Sequence, residues 1–397
     1  MKTIFPNKPS GHMSAGTKSR CANAALPMAA LACMALALGA CTTTGPRAST
    51  DRRPAAQTSP ATEKAAQALF DKGQTLSQQG DAREAVAVYS EIEQRYGNDI
   101  DPALRDQIVT ALFNNAANLG REGNLAAAVQ VYAEIEQRYG DDDKSWAVWA
   151  LLYQGELQRQ LRNMKAAIAA FDRLDQRFGQ ERDEAIRPLV ADALHKKAET
   201  LASTGDVKSA VDIYDEIGRR FAEDRDTSFR QRALRALFAK GALLDKQGAG
   251  EETDIALPTA TAGDTAAAIA VYDDIVHRFG RDNDPAIRNA VGNTLFKKSE
   301  ALRLAGDNQG TIAVYDDIVE RFGRDDTQAS RILAATALFR KGLAQSRLND
   351  IDAANASFDE VSRRFGFEAD PKLRKIVSQA NAARQKLIEE TMPLHDN

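Results

Sequence analysis

The sequence predicts an all-α array of stacked helical pairs, on three observations. The string AVAVYSEIEQRYG at 85–97 recurs in kindred form from 128, 167, 210, 268, 311 and 354. Each copy follows a second string of the type ALFDKG, so a unit is a helix, a turn and a second helix. The first helix keeps apolar or small residues in a three-four-seven rhythm. In the second unit these are Ile108, Leu112, Ala116 and Leu119, with Val109 and Phe113 widening the stripe. Repetition at a period of tens of residues marks an architecture in which each unit buries its apolar face only against its neighbours.

The chain has 397 residues, with 52 Lys and Arg against 56 Asp and Glu. Lys2, Lys8, Lys18 and Arg20 lie in the first 40 residues, which hold no acid, leaving 48 bases against 56 acids beyond. That balance argues against a nucleic-acid binder, which needs a net basic face to displace counterions. Cys21, Cys33 and Cys41 are the only cysteines, so neither a disulfide nor a cysteine-ligated metal site is available to the repeats.

Residues 1–40 read as an export signal. Lys18 and Arg20 precede an apolar stretch from Ala24 to Leu38, too short for a membrane span, which needs roughly 20 residues. The stretch ends in Leu38-Gly39-Ala40-Cys41, which resembles a bacterial lipobox; the alternative is an ordinary signal peptide with a chance cysteine. The resemblance implies lipid on Cys41 as the first mature residue. With Thr42 after it, it implies sorting to the outer membrane of a Gram-negative cell, facing the periplasm. Two or three acyl chains make a stable anchor. Residues 41–61 are rich in Thr, Ser, Ala and Pro and are expected to form a flexible tether spanning roughly 25 Å.

The repeats occupy 62–390, with starts spaced 43, 39, 43, 58, 43 and 43. The interval of 58 holds a 15-residue insertion at 248–262, and the interval of 39 lacks about one helical turn. The insertion reads as a tolerated surface excursion or as a loop that docks a partner. Asp81, Asn124, Asn163, Asp206, Asp264, Asp307 and Asp350 are expected to cap the second helices. Gly80, Gly123, Gly205, Gly263 and Gly306, each just before the cap, are expected to supply the left-handed turn. Asp-Pro pairs at 101–102, 284–285 and 370–371 open first helices. A last helix from Pro371 to about Glu390 keeps Leu373, Ile376, Val377 and Leu387 and closes the array; 391–397 form a tail.

The units resemble the tetratricopeptide repeat family. The matching residues are small ones inside the first helix (Gly73, Ala116, Gly155, Ala198, Gly241, Ser299, Gly342) and small ones opening the second (Ala85, Ala128, Ala167, Ala210, Ala268, Thr311, Ala354). Four residues after the latter comes an aromatic: Tyr89, Tyr132, Phe171, Tyr214, Tyr272, Tyr315, Phe358. Three departures are evident. The unit has 43 residues where the family has about 34, a bulky residue such as Ile92 replaces a late small one, and Arg-Phe/Tyr-Gly replaces the terminal proline. The extra length is expected in the first helix. The resemblance implies a solenoid of seven pairs whose first helices line a peptide-binding face.

Charges that repeat are expected to be structural. Arg95, Arg138, Arg177, Arg220, Arg278, Arg321 and Arg364 end the second helices, and all but Arg177 have an acid four residues before. A base also recurs early in the later first helices, from Arg105 and Lys144 to Arg331 and Arg374. Positions that vary are the candidates for function. Two residues before the small one stand Asp71, Asn114, Tyr153, Lys196, Ala239, Lys297 and Arg340. Beside them stand Lys72, Asn115, Gln154, Lys197, Lys240, Lys298 and Lys341. With Trp149 and Tyr153, the bases Lys196, Lys197, Lys297, Lys298, Arg340 and Lys341 form the candidate partner groove. The competing reading is a solvated face with some lysines paired to acids on second helices.

No catalytic motif occurs: HExxH, the P-loop, GxSxG and CxxC are all absent. His195 replaces the Phe of the ALF string and is expected in the core, and His277 on the surface. No enzyme activity and no cofactor are expected. The function read from the sequence is a lipid-anchored periplasmic adaptor for proteins or peptide segments of the cell envelope. The alternatives are a binder of a small molecule or glycan, and a purely structural spacer.

Overall fold

A computed structural model describes residues 60–96, 102–141, 143–248 and 262–391. Cys41, the signal segment, most of the tether, residues 249–261 of the insertion and the tail from 392 lie outside the described residues. Fifteen helices and no strand occur among the described residues.

The seven pairs are α1 (Pro60–Gln79) with α2 (Ala82–Tyr96), α3 (Pro102–Arg121) with α4 (Leu125–Tyr139), α5 (Lys144–Gln160) with α6 (Met164–Phe178), α7 (Arg187–Ser203) with α8 (Val207–Phe221), α9 (Thr227–Gly248) with α10 (Ala262–Phe279), α11 (Pro285–Leu304) with α12 (Asn308–Phe322), and α13 (Gln328–Arg347) with α14 (Ile351–Phe365). The closing helix is α15 (Pro371–Thr391). The added length does sit in the first helices, which have 17 to 22 residues, while all second helices but α10 have 15. The short interval falls on α5, which at 17 residues lacks about a turn of the 20 in α3. Helix α1 begins at Pro60, two residues before the expected start of the repeats.

Turn chemistry follows the sequence with informative exceptions. Gly80, Gly123, Gly205 and Gly306 have φ from 81° to 93°. Units three and seven place Arg162 (φ 63°) and Asn349 (φ 59°) there instead. Asp206, Asp307 and Asp350 accept the backbone N–H three residues on, at 3.1, 2.7 and 3.2 Å, as N-caps do. Asn124 and Asn163 do not cap: Asn124 faces the Arg83 guanidinium, and the Asn163 amide donates to Gln158 Oε1 at 3.0 Å. Nor do Gly263 and Asp264 play their expected parts, because α10 starts at Ala262 and absorbs both into its first turn. Of the Asp-Pro pairs, Asp284 accepts from Ile287 N–H (2.9 Å) and Asp370 from Leu373 N–H (3.0 Å).

Packing within a pair depends on a small residue facing an aromatic. A Cβ built on Gly73, Gly155, Gly241 or Gly342 would lie 2.3–2.5 Å from Cε1 of Tyr89, Phe171, Tyr272 or Phe358 respectively, closer than van der Waals contact permits. The ring of the ALF string then sits beside that aromatic. Phe70–Tyr89, Phe113–Tyr132 and Phe339–Phe358 have centroids 5.7, 5.4 and 6.1 Å apart. His195 takes the same place against Tyr214 at 5.5 Å. Buried apolar residues connect without a break from Ala147 in α5 to Ala344 in α13, and a second cluster joins α13 and α14 to Leu373, Ala380 and Leu387 of α15.

The repeated charges join this framework. All six acid–Arg pairs at the ends of second helices form, from Arg95–Glu91 at 2.5 Å to Arg138–Glu134 at 3.1 Å. Arg177, lacking that acid, reaches back to Glu136 and Asp141 of the preceding unit. The bases early in first helices hold the loop that leaves their own unit: Lys144–Glu181 (2.6 Å), Arg187–Asp224 (2.5 Å), Arg230–Asp282 (2.8 Å), Arg288–Asp325 (3.0 Å), and Arg331 with Glu368. Asp325 also accepts from Thr327 N–H and the Ser330 hydroxyl, and these bonds with Arg288 hold its carboxyl down at about 2.

Because the core is a chain of nearest-neighbour contacts, one lost ring is felt locally. Phe171 is fully buried. Phe171→Ala is expected to cost on the order of 3–5 kcal/mol and to split thermal unfolding, followed by circular dichroism, into an early partial step and a later one. A single unshifted transition would count against nearest-neighbour stacking.

Candidate functional site on the inner face of the first helices

Most odd-numbered helices pack closely on the next odd-numbered helix, whereas successive even-numbered helices meet mainly through long side chains such as Arg177 with Glu136 and Arg220 with Asp175. The first helices therefore form the closely packed inner layer, and the varied side chains project from it.

The row holding Lys197, Lys298 and Lys341 is engaged between repeats. Lys197 pairs with Asp172, Lys240 with Asp215, Lys298 with Asp273 and Lys341 with Asp316, each at 2.6 Å. In every case the acid directly follows the aromatic of the preceding unit's second helix. Arg384 of α15 repeats the arrangement with Asp359 at 2.9 Å. In units two and three the row is polar and buried. Asn115 accepts from the Ser77 hydroxyl (2.8 Å), and Gln154 accepts from Arg173 (3.0 Å). The signal was present in the sequence, because the residue after the aromatic runs Ser90, Ala133, Asp172, Asp215, Asp273, Asp316, Asp359. Lysine enters one row where aspartate enters the other.

The row holding Tyr153, Lys196, Lys297 and Arg340 is more open. Lys196 Nζ lies 3.0 Å from Glu156 Oε2, Arg159 bridges Glu156 (3.3 Å) and Glu199 (3.2 Å), and His195 Nε2 lies 3.5 Å from Glu199 Oε1. His195 is thus half-buried with a carboxylate partner and is not sealed in the core; an imidazole can fill the aromatic slot while keeping one nitrogen on a charged neighbour. The bond from His195, aided by Arg159 and Lys196, lowers the Glu199 carboxyl. Lys297 and Arg340 are exposed, and the Arg340 guanidinium rests 5.1 Å from the centroid of the Phe296 ring. Trp149 stacks on Tyr153 (5.7 Å), which stacks on Tyr132 (5.2 Å), and burial raises the Tyr153 hydroxyl. Trp146, by contrast, turns into the core against Phe113. The face is therefore mixed in charge, with an aromatic patch near α5.

One feature of this face was not foreseen. Unit five carries Ala239 and Ala242 at inner positions, and a cavity of about 510 Å³ opens beside them. Its lining comes from four helices, among them Tyr214 of α8, Leu243 of α9 and Lys297 of α11. The signal lay in the pairing of two alanines three residues apart at positions that carry long side chains in most other units. Among the described residues, no group of His, Cys, Asp and Glu is placed to hold a metal ion.

The engaged lysines are expected to contribute modestly to stability. In a double-mutant cycle of Lys298→Met and Asp273→Asn, the coupling read from chemical denaturation is expected below about 1 kcal/mol and smaller in high salt. A coupling of zero at low salt would remove the pair from the inter-repeat framework.

No curated protein sequence matches the chain. The apo form of RapI is similar at 12% identity over 82% of this chain and 85% of that one, with a TM-score of 0.45. A tetratricopeptide repeat protein from Parabacteroides merdae is similar at 11% identity over 80% and 99%, with a TM-score of 0.33. The TPR2AB domain of yeast Sti1 is similar at 16% identity over 80% and 99%, with a TM-score of 0.27. The family model described as tetratricopeptide repeat matches residues 67–99, 149–180 and 336–366, which fall in units one, three and seven. Repeats of this family are in general non-catalytic scaffolds for protein–protein interaction. The chain thus contains tetratricopeptide repeats at units one, three and seven, and its other four units keep the same pattern in register.

Proposed function

We propose that the protein is a lipid-anchored adaptor of the cell envelope, tethered through Cys41 to the outer membrane and holding peptide segments of envelope proteins on the inner face of its first helices. The observation that carries this reading is the contrast between framework and face. Ring contacts, caps and ion pairs repeat from unit to unit, while Tyr153, Lys196, Ala239, Lys297 and Arg340 occupy equivalent places with unlike side chains. A binding surface for one particular partner carries such variety while its framework repeats. Individual charge contacts on an exposed face contribute about 1 kcal/mol at most, so recognition rests on several together and weakens as salt rises.

Reversing Lys196, Lys297 and Arg340 to Glu is expected to abolish most capture of crosslinked envelope proteins at low salt while leaving helical content unchanged. An unaltered set of captured proteins would sink the groove. Cys41→Ser is expected to release the protein from the membrane fraction or to leave its signal uncleaved. Fractionation with the outer membrane like wild type would refute the anchor.

A further inference from the structure

The cavity of unit five has a chemistry of its own. Ala239 stands where other units carry Tyr153, Lys196, Lys297 and Arg340, and Ala242 stands where they carry Glu156, Glu199 and Glu300. Two shortened side chains leave space for an outside one. Tyr214, Ala239, Ala242, Leu243 and Leu304 supply the apolar part of the lining, and Leu304 is 53% exposed. Glu199 of α7, already engaged by Arg159 and His195, and Asp245 of α9 also line the cavity. Asp245 is half-buried, and among the described residues no hydrogen bond or ion pair reaches its carboxylate. Lys297 is near enough to favour its charged form, but burial prevails and raises its pKa. The buried Tyr272 hydroxyl, which interacts electrostatically with Asp245, has no hydrogen-bond partner either. A carboxylate withdrawn from water without a partner is costly until a cation reaches it.

We propose that this cavity binds the side chain of an arginine or lysine in an extended partner segment, its aliphatic stem on the apolar lining and its cationic head at Asp245. The inference rests on the inner face being the binding surface. Arginine and lysine are the residues whose shape matches the site, an apolar stem ending in a charge. Lys246 and Lys297 line the cavity from exposed positions, where their own stems let the ammonium groups turn to solvent. The cavity is large enough to admit one long side chain with part of its backbone.

Ligand-detected saturation-transfer NMR on the purified chain tests this, with N-acetyl-arginine N-methylamide as probe and the norleucine and glutamate analogues as controls. Saturable binding of the arginine probe is expected, about tenfold tighter than either control, as one charge-assisted contact provides. Asp245→Asn and Ala239→Lys are each expected to weaken it by about tenfold. The second variant installs the residue found at 196 and 297, so it keeps the test valid should the first fail to fold. An arginine probe no tighter than norleucine, a preference for glutamate, or indifference to both variants would overturn the pocket. If the probe fails while charge reversal of the inner face still abolishes capture, the pocket falls and the adaptor stands. If the probe binds as expected but charge reversal leaves capture unchanged, the pocket stands and the adaptor reading falls.

Discussion

In each helical pair an aromatic ring from the second helix lies on a first-helix residue too small to push it away, and the rest of the array is arranged around that contact. Gly73 under Tyr89, Gly155 under Phe171, Gly241 under Tyr272 and Gly342 under Phe358 leave no space for even one added carbon. The close approach buries a large ring and brings the first-helix Phe, or His195, alongside it. Ring and neighbour then form the apolar surface against which the next unit stacks. Since each unit repeats the contact, the core grows as a ribbon and never closes into a globule.

Charge serves this framework in two ways. Along the second helices, acid and Arg four residues apart support the helix itself. Between elements, Arg187, Arg288 and Arg331 hold the loops at Asp224, Asp325 and Glu368, and Lys197, Lys240, Lys298 and Lys341 hold each unit to the one before. The sequence left these lysines between two readings, a basic groove and a face with some of them paired to acids on second helices. Their partners lie 25 residues earlier, on the far side of a turn and most of a helix, so a window moving along the chain never holds both. What remains open on this face is narrower: the row through Tyr153, Lys297 and Arg340, and the cavity that two alanines leave within it.

Nearly all of the fold was legible in the sequence, because a repeat states its own contacts seven times. The helix periods, the small residue facing an aromatic and the Asp caps are short-range statements, and the spacing of 43 showed which of them belong together. The exceptions were local competitions. Asn124 turned its amide to Arg83 and Asn163 to Gln158, so neither capped, and α10 began early enough to take in Gly263 and Asp264.

By itself the sequence determined the class, the number of units, the pairing of each ring with its small partner, and the residues that bear charge at each repeat. Tertiary structure decided which of those charges meet and where the inner face was left open. The reason is geometric. Ring and small residue belong to one pair, so periodicity reveals them. An ion pair such as Lys298–Asp273, or a cavity bounded by α7, α8, α9 and α11, depends on how successive units are set against one another. That setting follows from the summed packing of whole helices, and no single residue announces it.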